Sequence, residues 1–142
     1  MIVVDASVAV KWFLPEANEE AAAKLLGGKE RLVAPALIRL EVTGAIIRRF
    51  REGHLSEKKA REATHAWEAM LEHRVVRLVP DAELLDVAVQ MAFLARHTLA
   101  DCLYLAVAKQ LAVPIVTADK PMRERGARAY KNITFLGGAD KH

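Results

Sequence analysis

The sequence predicts an α/β fold, a three-layer α/β/α sandwich around a central parallel sheet. Three observations predict it. Short runs of strand character, Ile2-Val3-Val4, Leu32-Val33-Ala34, Val75 to Val79, Pro114 to Thr117 and Ile133 to Leu136, alternate with helical stretches from end to end, which is the pattern of a parallel sheet covered on both faces. The first run is wholly apolar instead of alternating, as in a strand buried on both sides. The chain has 142 residues, the size of one domain with a substantial core. Residues 1–137 read as that domain and residues 138–142 as a C-terminal tail.

Taken in order, Ile2-Val3-Val4 is closed by Asp5-Ala6-Ser7, and a short helix through Val8, Val10, Trp12 and Phe13 stops at Pro15. A second helix covers about Asn18 to Leu26 and ends at Gly27-Gly28, a C-terminal signal. After the strand at Leu32, a third helix covers about Ala36 to Arg51, with Leu37, Ile38, Val42, Ala45 and Ile46 as its core stripe. Ser56 is a good N-cap for a fourth helix through Trp67, Met70 and Leu71. Pro80-Asp81 opens a fifth, with Leu84, Leu85, Val87, Ala88, Met91 and Leu94 as its packing face. The next helix, through Leu99, Cys102 to Ala108 and Leu111, is apolar nearly all round and therefore buried. A strand to Thr117, a short basic helix from Pro121 and the last strand complete the chain. Right-handed crossovers put the C-terminal ends of all parallel strands on one edge, so Asp5 and Asp119 share that edge, where open α/β sheets bind ligands.

Composition excludes some classes. Hydrophobic residues make up 53% of the chain, but no apolar run approaches the roughly 18 residues of a membrane span. Met1 leads straight into a strand, without the basic region or cleavage pattern of a signal peptide. The single cysteine, Cys102, has no partner for an internal disulfide and reads as a buried structural thiol, which fits a reducing cytoplasm. The formal charge of +3 is compatible with a polyanionic partner without demonstrating one. Its placement is uneven, with Arg48, Arg49 and Arg51 in one cluster and Arg123, Arg125, Arg128 and Lys131 in another.

Four acids stand out. Asp5 ends the first strand, as a ligand or as the cap of the next helix. Glu41 has Leu37, Ile38, Gly44 and Ala45 as its helical neighbours, so it faces the core and needs a partner or a metal. Gly44 itself, unfavourable by about 1 kcal/mol in a helix, suggests a close approach to this face. Asp101 matches the third helical position of a capping box begun by Thr98, a role compatible with ligation. Asp119 precedes Lys120-Pro121, as a ligand or a turn residue. Without a cation such carboxylates would repel and raise one another's pKa values. Only oxygen ligands are on offer, with no His or Cys at ligand spacing, which favours Mg²⁺ or Mn²⁺ over zinc. The chemistry this suits is phosphodiester hydrolysis.

Four stretches, Val3-Val4-Asp5-Ala6-Ser7, Leu40-Glu41-Val42, His97-Thr98-Leu99-Ala100-Asp101 with the apolar helix after it, and Val116-Thr117-Ala118-Asp119, resemble the signature stretches of PIN-domain nucleases. Within that family the chain looks most like the VapC toxins of prokaryotic toxin–antitoxin pairs, over almost its whole length. The resemblance implies that Asp5, Glu41, Asp101 and Asp119 form the catalytic pocket for Mg²⁺ or Mn²⁺, with Ser7 and Thr117 as polar helpers. It implies metal-dependent cleavage of RNA, a homodimer and a VapB-like antitoxin. Arg48, Arg49 and Arg51 could line the RNA path, or simply suit a helix C-terminus. Trp12, Phe13 and Trp67 could stack on bases, although such aromatics are usually core. Where many relatives carry a small polar residue, this chain has Gly44, which bears on hydrogen bonding around the pocket and not on the carboxylates.

Other readings are weaker. A phosphatase with a strand-end Asp nucleophile generally wants a second Asp two residues on, and Ser7 stands there. A regulatory module has no need of a core-facing Glu41. A catalytically inactive PIN-like module that binds RNA or a partner is the alternative, and the intact acidic set argues against it.

Overall fold

The computed structural model describes residues 1–141, with residues 139–141 described by their backbone only. Five strands, β1 (Ile2–Val4), β2 (Leu32–Pro35), β3 (Val76–Val79), β4 (Ile115–Thr117) and β5 (Ile133–Phe135), form one sheet in the order β3-β2-β1-β4-β5. Every pairing is parallel, so all five strands end on the same edge. Among the described residues the α-helices are α1 (Ala6–Ala9), α2 (Glu19–Leu26), α3 (Ile38–Arg51), α4 (Glu57–Glu72), α5 (Asp81–Ala95), α6 (Leu99–Leu111) and α7 (Lys120–Gly126), and they flank the sheet as the alternating pattern predicts.

The order of the strands positions the site. From β1 the chain crosses to β2 and then β3 on one side, and β4 and β5 lie on the other. The direction reverses between β1 and β4, and such a reversal leaves a crevice at the carboxyl ends of the two strands. Val3 and Val4 pair with Ile115 and Val116, which brings the ends of β1 and β4, with Asp5 and Asp119 just beyond them, side by side at that edge.

The core is built where the sequence is most apolar. Cys102 through Ala108 are all buried, and α6 packs across β1, β2 and β4 as well as against α5. Only the ends of α6 emerge, at Leu99 and Leu111. Burial, and next to it the Asp101 carboxylate, push the Cys102 thiol up to about 11, so little reactive thiolate exists near neutrality. The folded protein is therefore expected to resist iodoacetamide at pH 8 while the urea-unfolded chain is alkylated, as read by mass spectrometry. Rapid labelling of the folded chain would contradict this burial.

Two expected surfaces differ. On α5 the buried residues are Leu84, Ala88, Met91 and Ala95, whereas Leu85, Val87 and Leu94, expected to pack, are exposed. That helix carries apolar residues on most of its circumference, so periodicity alone did not distinguish the face that meets α6. Gly44 is the other case. A Cβ there would meet nothing within 4 Å, so the close approach inferred from its cost is not made by any described part of the chain.

The aromatics are core. Trp67 is fully buried, its Nε1–H donates to the Arg39 carbonyl, and its ring meets those of Trp12 and Phe13. At the far end, Leu136–Lys141 forms a short 3₁₀ stretch kinked at Gly137 and Gly138. Gly137 has φ +78° and a Cβ there would lie 2.8 Å from Asn18 Oδ1, so both conformation and space call for glycine. Of the expected tail, His142 lies outside the described residues. No single helix among the described residues is long and apolar enough to cross a membrane.

Candidate active site

Asp5 leaves β1 in an extended conformation at the start of α1, but its side chain caps nothing. Its Oδ2 instead accepts hydrogen bonds from Ser7 Oγ at 2.7 Å and Thr117 Oγ1 at 2.6 Å. Each hydroxyl is fixed in turn by a backbone N–H. Ala118 donates to Ser7 Oγ at 2.9 Å and Asp119 to Thr117 Oγ1 at 3.0 Å. The end of β4 thus orients a carboxylate on β1, and no side chain among the described residues donates to Asp5 Oδ1. Burial pushes the Asp5 carboxyl up to about 7, with Asp101 and Glu41 adding to it and the two hydroxyls opposing it.

Glu41 projects from the first turn of α3, and its Oε1 accepts from Tyr104 Oη at 2.7 Å. Tyr104 is fully buried in α6, the one hydroxyl in an otherwise apolar stretch of helix. Burial raises the Glu41 carboxyl, and the charges of Asp101 and Asp81 raise it further against the pull of Tyr104. The arginine partner that a buried structural glutamate would need is absent among the described ion pairs.

Asp101 is half a capping box. Thr98 Oγ1 accepts from its N–H at 3.2 Å, which starts α6. The carboxylate does not complete the box; its Oδ2 lies 2.7 Å from His97 Nε2. Burial raises the Asp101 carboxyl and Asp119 adds to that, while His97 and Thr98 oppose it. Asp119 caps α7, accepting from the Met122 N–H at 3.1 Å, as its reading as a turn residue ahead of a helix expects. Cap geometry fixes the side chain, and one of its carboxylate oxygens lies within 4.8 Å of ligand atoms of His97 and Asp101.

Sequence reasoning missed two of these residues. Tyr104 was signalled by being the polar tip in a buried helix, three residues after Asp101. His97 stands four residues before Asp101, a spacing that joins side chains along one helix face, but it precedes the cap and was passed over. It corrects the expectation that only oxygen ligands are on offer. The arginines of α3 separate: Arg49 Nη1 pairs with Glu16 at 3.3 Å, and Lys11 shares the same carboxylate, whereas Arg48 and Arg51 are exposed.

The family model described as PIN domain matches residues 2–127. The fold is similar to that of VapC20 from Mycobacterium tuberculosis, a sarcin-ricin loop cleaving toxin, with TM-score 0.61 and 20% identity over 83% of this chain and 88% of that one. It is also similar to FitAcB from Neisseria gonorrhoeae, with TM-score 0.67 and 19% identity over 97% of this chain and 98% of that one. Identities at this level speak to the fold. No curated protein sequence matches the chain.

Proposed function

Because this chain belongs to the PIN-domain family, we propose that it is a metal-dependent ribonuclease that hydrolyses RNA phosphodiester bonds at Asp5, Glu41, Asp101 and Asp119. The observation that carries this is the charge balance of the crevice. Asp5, Glu41 and Asp101 are each held above their ordinary pKa values, Asp101 adding to the first two and Asp119 to the third, and among the described residues the one basic side chain paired with any of them is His97, with no Lys or Arg. Such a set is self-repelling until a cation joins it. Carboxylate oxygens suit Mg²⁺ or Mn²⁺.

When bound, a divalent ion supplies Lewis-acid stabilisation for charge developing on a phosphate oxygen. The chain's own residues prepare the place. Ser7 and Thr117 commit their hydrogens to Asp5 Oδ2, which leaves Oδ1 without a side-chain donor among the described residues and neither hydroxyl free to attack phosphate. Water is therefore the nucleophile we assign. Tyr104 holds Glu41 through its hydroxyl, and Asp119 is held by the α7 cap. Arg48 and Arg51 are the exposed cations of α3 suited to phosphates of the RNA.

The biological setting we propose is that of the toxin in a VapBC-type pair, in the cytoplasm, as a homodimer held in check by a small VapB-like antitoxin. The sequence resemblance and the VapC20-like fold support it.

The test is thermal unfolding with and without Mn²⁺. A ligand at 100 times its Kd that binds only the folded state stabilises by about 2.7 kcal/mol, so the wild-type midpoint should rise by several degrees. Asp101→Asn should respond less. If Mn²⁺ and Mg²⁺ move neither protein, the acids are no hard-metal site and a non-cleaving binding module is the better account.

A further inference from the structure

The side chain of His97 is 2% exposed, and neither ring nitrogen has an aligned hydrogen-bond partner among the described residues. Buried imidazoles without partners are rare, because a polar group removed from water must be satisfied elsewhere. Nε2 comes to 2.7 Å from Asp101 Oδ2, yet the approach does not meet the alignment of a hydrogen bond. A ligand atom from each of His97, Asp101 and Asp119 lies within 4.8 Å of the others. His97 is not placed there by a loose loop. It sits in the short link between α5 and α6, where its N–H donates to the Ala92 carbonyl at 3.2 Å, next to Arg96 in the left-handed region at φ 53°.

We propose that His97 is a nitrogen ligand of the cation bound by the acidic site, which makes the Asp101–Asp119 end of the crevice a mixed nitrogen–oxygen set. This rests on the metal-site reading above and deepens it. The chemistry follows from ligand type. Two donors on neighbouring positions of an octahedral ion with bonds of roughly 2.1 Å lie about 3 Å apart, and Nε2 and Oδ2 are already close to that spacing. An imidazole suits borderline transition ions and adds less for Mg²⁺, which favours oxygen. The site therefore selects Mn²⁺ or Co²⁺ over Mg²⁺ more strongly than four carboxylates would. The competing account is an ion pair in which a protonated His97 serves only to neutralise Asp101.

The experiment uses the full chain with Mn²⁺, Co²⁺ and Mg²⁺ as probes. Pulsed EPR of the Mn²⁺-loaded wild type should show coupling to an imidazole nitrogen, and His97→Gln should lose it. Calorimetric titration should show Mn²⁺ and Co²⁺ affinity falling at least about tenfold in His97→Gln, with a smaller change for Mg²⁺. His97→Leu, apolar and suited to a buried position, repeats both readings if the Gln variant does not fold. Mn²⁺ bound by the wild type without histidine-nitrogen coupling, or with affinity unchanged in the folded variants, overturns the proposal and leaves the carboxylate site standing. Failure of wild type to bind any of the three ions overturns the metal site itself.

Discussion

Asp5→Asn is expected to cleave no RNA and yet to be the more stable protein at neutral pH when metal is withheld. Both effects come from one carboxylate. In the fold its pKa is pushed up to about 7, against 3.8 for the ordinary side chain. The unfolded chain releases this proton near 3.8, whereas the folded chain keeps it until about 7. Between those values the folded state binds more protons than the unfolded state, so stability falls as pH rises. At 1.36 kcal/mol per unit the loss from this one group is about 4 kcal/mol once pH exceeds 7. Asn carries no proton to lose, and its amide oxygen can still accept from Ser7 and Thr117. Urea denaturation in EDTA from pH 4 to 8 should therefore show the variant gaining on the wild type up to about pH 7 and the difference levelling off above it. Glu41 and Asp101 are raised in the same direction, so a smaller slope should persist in the variant. A wild type that gains stability on Asp5→Asn between pH 4 and 7, or an Asn variant that still cleaves RNA, would refute the assigned role.

The second large effect lies away from the crevice. Trp67→Ala should lower unfolding free energy by about 4 kcal/mol, the cost typical of emptying a fully buried aromatic site. Trp67 is fully buried and locks α4 against Trp12 and Phe13, with ring centroids 6.4 and 5.9 Å away. Its lost hydrogen bond costs little beyond that, because Thr43 Oγ1 also donates to the Arg39 carbonyl, at 2.7 Å. Trp67→Phe keeps most of the ring volume and should lose roughly 1–2 kcal/mol. In both variants the folded fraction should bind Mn²⁺ as the wild type does, since the crevice is built by β1, β4, α3 and α6. Denaturant titration and calorimetry separate the two quantities.

The fold was readable because each strand is a short apolar run between helices, and because parallel topology places every strand end on one edge. That same logic located Asp5 and Asp119. Glu41 was readable from its apolar helical neighbours, and Asp101 from Thr98 three residues before it. Other features need three dimensions. Ser7 and Thr117 meet at Asp5 across a separation of 110 residues, which no local pattern encodes. Exposure of Leu85, Val87 and Leu94 depends on which side of an almost wholly apolar helix receives α6. The pairing of Arg49 with Glu16 depends on how the segment after α1 folds back on α3. His97 had a spacing signal, but the ring reaches Asp101 only because the link between α5 and α6 turns as it does.

The central place of β1 also has a consequence for biosynthesis. Thr117, which orients Asp5, is made 112 residues after it. At translation speeds of about 5–20 residues per second that is an interval of roughly 6 to 22 seconds. In the later part of that interval the nascent chain holds β1, β2 and β3 without the neighbour that completes the crevice. A protein whose proposed substrate is RNA is thereby assembled on a ribosome, itself largely RNA, with its carboxylates still apart. On the proposed function, catalytic competence waits for β4 to emerge.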